Sequence, residues 1–278
     1  MRVRMADHMG MCFGVRDAID LAHGLAARGP LTVLGDLVHN PDVVAALDAA
    51  GVVKAQDLDE IYTPAVLLTA HGTSDRVKLR LREGGKEVHD ATCPLVTRAH
   101  VALRKLVDEG RHPVVIGQAD HVEVRGLVGD LDEYTVIQTE DDLESLEAWH
   151  SARLGVVAQT TQPLADVLAL VEAIRRRYPS ADMRFVDTVC QPTKDRQSSL
   201  RRLAEESDVV VVVGGPDSNN SRKLRELARS LGRPAYQVSR ADELRAEWFA
   251  GCHIVGLTAG TSTPEDAIDE VRRRLETI

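Results

Sequence analysis

The sequence predicts an α/β fold of three lobes, each a parallel-type sheet flanked by helices, with the lobes meeting at one metal centre. Strand-like and helix-like runs alternate along all 278 residues, the pattern of βα units with parallel strands. Three cysteines, Cys12, Cys93 and Cys190, each follow a strand-like run and precede a helical one. They fall in different thirds of the chain, which places the lobes at residues 12–92, at 93–189, and at 190–278 together with 1–11.

The elements justify themselves in order. Val3 to Ala6 reads as a strand, and Val15, Ala18, Ile19, Ala22 and Leu25 mark one helical face. Leu31 to Leu34 is a strand, and Pro41 opens a helix to Ala50. Ala65 to Thr69 is a strand, followed by a basic helix ending near Glu83. Lys86 to Val88 leads into His89-Asp90-Ala91-Thr92-Cys93-Pro94, where Thr92 or Cys93 can cap a helix from Leu95 to Val107. Val114 to Gly117 and Tyr134 to Gln138 are strands, and Asp141 to Trp149 is a helix. Leu154 to Ala158 is a strand, Pro163 opens a helix to Tyr178, and Arg184 to Val189 is the strand before Cys190. A helix from Pro192, the strand Val209 to Val213 and a helix to Leu231 follow. Ala235 to Val238, a helix over Asp242 to Phe249, the strand His253 to Leu257 and a helix opened by Pro264 complete the chain.

Composition excludes several classes. A net charge of −9 argues against a general nucleic-acid binder, and 3% aromatic residues argue against stacking on bases or sugars. The longest purely apolar run, Val209 to Val213, is far short of the roughly 20 residues of a membrane span. With no signal-peptide core at the start, the expected setting is cytoplasmic. Widely spread cysteines in a reducing compartment read as metal-binding, catalytic or inert.

The chemistry-capable side chains gather just after predicted strands: Cys12, His39, His71, Cys93, His121, Glu123, Thr160, Cys190, Ser218, Asn220 and Ser262. That is the sheet edge where open α/β folds bind ligands. Singly, each has a plainer reading as a helix cap, a solvated charge or a small buried side chain, and for Glu123 alone the solvated reading is preferred. Jointly they favour a site. Each cysteine sits at the positive end of a helix dipole, which favours the metal-binding thiolate. Three thiolates suit zinc with a fourth ligand, or an iron–sulfur cluster with one iron lacking a protein ligand, and spacing alone leaves both open. Cys252, at the wrong end of its strand, reads as core. His39, His71 and His121 suggest a cationic pocket. Gly214-Gly215-Pro216-Asp217-Ser218-Asn219-Asn220-Ser221 reads as a phosphate cradle, and Ser262 before Pro264 offers a second helix start.

These motifs in this order resemble the LytB/IspH family, the 4-hydroxy-3-methylbut-2-enyl diphosphate reductases of the non-mevalonate isoprenoid pathway. The resemblance rests on Gly10-Met11-Cys12-Phe13-Gly14-Val15, Val38-His39-Asn40, Ala70-His71-Gly72, Asp90-Ala91-Thr92-Cys93-Pro94, His121-Val122-Glu123, Gln159-Thr160-Thr161, Ser218-Asn219-Asn220-Ser221 and Thr258-Ala259-Gly260-Thr261-Ser262-Thr263-Pro264. It implies three pseudo-symmetric lobes around a 4Fe–4S cluster held by Cys12, Cys93 and Cys190, with one iron open to substrate. It also implies reductive dehydroxylation of an allylic diphosphate to isopentenyl and dimethylallyl diphosphate, with electrons from ferredoxin or flavodoxin. His39, His71, His121, Ser218, Asn219, Asn220 and Ser262 would lie at the diphosphate. Glu123 and Thr160 would serve the hydroxyl group and proton delivery.

The chain departs from the family pattern at Met11, at Asn219 beside the diphosphate, and around His121 at Gln118, Asp120, Val122 and Arg125. Three other readings stay open. They are a non-catalytic iron–sulfur redox sensor on the same scaffold, a paralogue reducing another allylic diphosphate, and a zinc hydrolase of a phosphorylated substrate.

Overall fold

The structure is a computed structural model that describes residues 1–38, 40–149 and 152–278. Its twelve strands among these residues form three four-stranded sheets in which every pairing is parallel. Strand β1 is Arg2–Met5; β2 to β5 are Leu31–Leu34, Val52–Ala55, Ala65–Leu68 and Glu87–Asp90. Strands β6 to β9 are His112–Ile116, Thr135–Ile137, Arg153–Ala158 and Asp182–Phe185. Strands β10 to β12 are Val209–Val213, Ala235–Val238 and Ile254–Ala259. The sheet orders are β3-β2-β4-β5, β7-β6-β8-β9 and β11-β10-β12-β1. All three repeat one topology, and in each the strand leading to a cysteine turn (β5, β9 or β1) is one of the two edge strands.

The α-helices are α1 (Phe13–Ala26), α2 (Pro41–Ala49), α3 (Asp75–Glu83), α4 (Pro94–Asp108), α5 (Val122–Val128), α6 (Leu164–Arg177), α7 (Gln191–Glu205), α8 (Asn219–Ser230) and α9 (Glu265–Thr277). The chain divides into two compact units. The first comprises Met1–Arg16, Val38–Ala46 and Gln191–Ile278; the second comprises Asp17–Leu37 and Leu47–Cys190. The first holds the β1-containing sheet and the second holds the other two.

The run Val209–Val213 shows how helices on both faces of a sheet are written into sequence. All five valines are fully buried. Val209, Val211 and Val213 pack with Ile268, Val271 and Leu275 of α9, whereas Val210 and Val212 pack with Leu200, Leu203 and Leu224 of α7 and α8. A strand buried on both faces must be apolar throughout, and each such side chain contributes about 1.5–3 kcal/mol. The sheet of β6 to β9 repeats the pattern, with Val114 and Ile116 on one face and Val115 on the other.

Several expected elements differ. Strand β3 was not anticipated; it is four residues long and buries only Val52 and Ala55. The expected helix over Asp141 to Trp149 is a 3-10 stretch, Glu140–Trp149. There the Asp142 carboxylate accepts from the Gln138 and Thr139 amides, both at 2.8 Å, a local bonding pattern that competes with α-helix. The expected helix over Asp242 to Phe249 is two 3-10 turns, Ala241–Glu243 and Ala246–Phe249. The strand placed at Arg184 to Val189 ends at Phe185. Beyond it the Thr188 hydroxyl takes over the pairing, accepting from the Ala158 amide (2.9 Å) and donating to the Ala158 carbonyl. Cys252 precedes its strand, is half-buried and packs against the core, and burial pushes its thiol pKa up.

Candidate active site

The three cysteines share one backbone arrangement. Each immediately precedes a helix: Cys12 before α1, Cys93 before α4, Cys190 before α7. Each donates its main-chain N–H to the carbonyl two residues beyond the end of the neighbouring strand. The pairs are Cys12 to Thr261 (3.1 Å), Cys93 to Ala70 (3.0 Å) and Cys190 to Thr160 (3.0 Å). Two of the turns share a further device that sequence reading overlooked, an aspartate three positions before the cysteine. Asp90 Oδ1 accepts from the Thr92 amide (2.9 Å) and Asp187 Oδ1 from the Val189 amide (3.0 Å). Burial works against the Asp90 charge, but hydrogen bonds from Thr92 and from Lys78, whose Nζ lies 2.9 Å away, hold its carboxyl below the usual range. All three thiols are half-buried and none is in a disulfide. Among the described residues no three or more His, Cys, Asp or Glu side chains are gathered to hold a single metal ion.

In the second unit, Glu123 occupies the first turn of α5 and is 1% exposed. Its solvated reading is therefore corrected. Oε1 accepts from the Thr160 amide at 2.6 Å and Oε2 from the Thr160 hydroxyl at 2.9 Å. Desolvation raises its pKa to about 7, against the pull of those two bonds. Thr160 is thus a hub: its amide and hydroxyl hold the carboxyl group while its carbonyl holds the Cys190 amide. His121 caps α5, with Nδ1 accepting from the Glu123 amide at 3.1 Å. In the neutral ring this places the proton on Nε2. The His71 ring meets His121 edge-on at 5.7 Å, and His71 Nδ1 lies 3.4 Å from the Thr69 hydroxyl. Close packing requires Gly72 beside it: its φ is +79°, and a Cβ there would lie 3.0 Å from Val96.

In the first unit, Ser218 caps α8, its Oγ accepting from the Ser221 amide at 3.3 Å and from the Ser221 hydroxyl at 3.0 Å. Gly214 and Gly260 flank Ser221 so closely that a Cβ on either would lie 2.0 Å from its hydroxyl. Asn220 Oδ1 accepts from the Thr261 amide at 3.1 Å. Asn219 Oδ1 accepts from the Arg222 guanidinium at 2.8 Å, and its Nδ2 is buried with no hydrogen-bond partner among the described residues. Ser218, Asn219, Asn220 and Ser262 are all buried, at 3–5% exposure. Thr261 repeats the role of Thr160, since its carbonyl holds the Cys12 amide and its amide is held by the second residue of a helix. Glu123 and Asn220 are therefore counterparts.

Asn40 also escaped the sequence reading as a structural residue: its Oδ1 accepts from the Asp42 and Val43 amides and caps α2. The Asn-Pro pair that opens this helix was the available signal. His39 lies outside the described residues. Val122 holds the first helical position of α5, where proline is suited by its fixed φ. Asp120 and Arg125 are exposed.

A profile of the LytB protein family matches residues 3–276. A relative from Methylibium petroleiphilum is 41% identical over 99% of this chain and 85% of its own length. One from Chromohalobacter salexigens is 37% identical over 100% and 90%. Both bear the name 4-hydroxy-3-methylbut-2-enyl diphosphate reductase. Two solved structures are similar in fold. The (E)-1-hydroxy-2-methyl-but-2-enyl-4-diphosphate reductase of Plasmodium falciparum aligns with a TM-score of 0.92 at 25% identity, covering 98% of this chain and 87% of that one. An (E)-4-hydroxy-3-methyl-but-2-enyl diphosphate reductase, titled the terminal enzyme of the non-mevalonate pathway, aligns with a TM-score of 0.71 at 34% identity over the whole of both chains. With the profile spanning nearly every residue and the relatives nearly full length, the chain belongs to the LytB protein family.

Proposed function

We propose that this chain is an oxidoreductase that removes the allylic hydroxyl of (E)-4-hydroxy-3-methylbut-2-enyl diphosphate. Two electrons and two protons enter, the C–O bond breaks, one proton leaves with the oxygen as water, the other forms a C–H bond on the allyl group, and isopentenyl and dimethylallyl diphosphate result. This is the last step of the non-mevalonate isoprenoid pathway. The observation that carries the reading is the buried Glu123 carboxyl, poised near neutrality and tied through Thr160 to a cysteine turn.

The cysteines fit a 4Fe–4S cluster held by Cys12, Cys93 and Cys190. Three cysteines at equivalent turns, none in a disulfide, would hold three of the four irons and leave the fourth without a protein ligand. When bound, such a cluster supplies electrons and a Lewis-acidic seat for the substrate hydroxyl. Protein groups do the rest. Glu123, half-protonated near pH 7, holds the proton that leaves with the hydroxyl oxygen, and the Thr160 hydroxyl passes it by exchanging donor for acceptor. His71 and His121 supply cationic or N–H donor groups to the diphosphate. The Nδ1 contact of His121 fixes the orientation of its ring. Ser218, Asn219, Asn220, Ser262 and, by the resemblance, His39 complete the cradle. Binding the diphosphate, remote from the breaking bond, positions the hydroxyl group. Ferredoxin or flavodoxin delivers the electrons in a cytoplasmic setting, and the lobes run over residues 12–92, 93–189 and 190–278 with 1–11. The buried Glu123–Thr160 pair favours the enzyme over a redox sensor, which needs only its cluster.

The test is anaerobic: reduced methyl viologen is mixed with the iron-loaded protein and substrate is added. Dye oxidation that depends on substrate supports the reductase. A brown protein without it refutes the reading.

A further inference from the structure

We propose that the exposed face of α4, with the groove between it and the start of α3, is the docking surface for a small acidic electron-carrier protein. The proposal deepens the reductase reading and rests on it. Helix α4 begins directly at Cys93, so its outer face leads away from one of the three cysteine turns. Five of its exposed residues, Pro94, Arg98, Val101, Lys105 and Asp108, recur at helical spacing and form one stripe about 22 Å long, with Thr97 and Arg104 exposed beside it. Beside the stripe lies a groove of about 340 Å³, with Thr92 at the cysteine end and Lys78, Arg104 and Lys105 set against Asp75 and Asp108 along its length.

Charge points to the partner. Residues 75–108 carry eight Lys and Arg against five Asp and Glu, in a chain whose net charge is −9. An acidic carrier is repelled by the molecule as a whole and drawn to this segment. Arg98 and Lys105 make no close ion pair among the described residues, although Lys105 acts on the Glu109 carboxylate through space. Arg104 is held in place by Asp75 at 2.7 Å. An apolar centre is present too: Val101 is 63% exposed amid these cations. A small apolar spot ringed by charge suits a transient redox encounter, which needs fast steered association and a modest buried area. Each docking passes one electron and leaves the carrier oxidised. Two dockings and two protons balance one C–O bond cleaved, one C–H bond formed and one water released.

The experiment compares the iron-loaded chain with the double variant R98E/K105E, using two electron sources: reduced methyl viologen, and a reduced ferredoxin of acidic pI. Calorimetric titration of the oxidised ferredoxin gives a binding readout independent of turnover. The variant is expected to keep dye-driven turnover within twofold, which also shows that it is folded and loaded. Its KM and Kd for the ferredoxin should rise about tenfold, with a flatter dependence on salt. Unchanged ferredoxin KM and Kd in a variant with intact dye-driven turnover overturn the docking surface and leave the reductase standing. Absence of substrate-dependent dye oxidation in the unaltered chain overturns the reductase reading itself, and with it the surface's redox purpose.

Discussion

Replacing Glu123 with glutamine separates its proton from its shape. The carboxamide can keep both contacts with Thr160: Oε1 still accepts the amide, and Nε2 donates to a hydroxyl that rotates to accept. What is lost is titration. Burial moves the carboxyl from 4.5 to about 7. Below 4.5 both folded and unfolded chains hold the proton. Between 4.5 and 7 the unfolded chain releases it first, so stability falls as pH rises, and above 7 the loss is complete. The full step is about 3 kcal/mol at 1.36 kcal/mol per pH unit, or roughly 6–12 °C in thermal midpoint for a domain of this size. The assay is the midpoint of the metal-free protein from pH 4.5 to 8.5, with and without the substitution. The unaltered chain should lose stability relative to the variant across this window. The loaded variant should keep its iron but lose turnover by about 10²–10⁴-fold. Parallel midpoint curves refute the buried, shifted carboxyl, and undiminished turnover refutes its role as proton donor.

Further outcomes follow from the same geometry. Serine at Cys12, Cys93 or Cys190 should abolish stoichiometric iron and sulfide and the brown colour, while Cys252→Ala should leave both unchanged by chemical analysis. Asn220→Ala strands the half-buried Thr261 amide, whose carbonyl bonds Cys12. It should cost about 1–3 kcal/mol in thermal unfolding and raise the KM for substrate about tenfold or more. Alanine at Gly214 or Gly260 drives a methyl group into the Ser221 hydroxyl and should destabilise by about 1–3 kcal/mol, read from the same melts. Thr160→Val removes the hydroxyl but not the amide contact, so turnover should fall with Glu123 still buried, as followed by the turnover assay and the pH dependence of the melt.

Elements with a strong period or a terminal signal were legible. Val209–Val213 could only be a doubly buried strand, and Pro41, Pro94, Pro163 and Pro264 marked helix starts within a residue. The short edge strand Val52–Ala55 has two buried residues and no alternation long enough to register. Helix α5 carries valine where proline would have announced it. The site residues were legible because they punctuate strand ends. Their hydrogen bonds were not. The cysteine amides bond to carbonyls supplied by neighbouring strands, as the distant pairing of Cys12 with Thr261 shows, and burial of Glu123 depends on Thr160. Such contacts follow from sheet topology, which no local window contains.

The position of β1 has a consequence for how the protein is made. This strand is synthesised before the other three strands of its sheet, and its partner β12 follows about 250 residues later. At about 5–20 residues per second, the first strand waits roughly 10–50 s for its sheet. Its arginines at positions 2 and 4 and its mostly exposed side chains keep the waiting edge from pairing elsewhere. Cys12 reaches its bonded turn only after Thr261 has been synthesised. Any group requiring all three cysteines must therefore be installed only after β12 and Thr261 have been synthesised, and a ribosome-bound fragment lacking β12 should accept none.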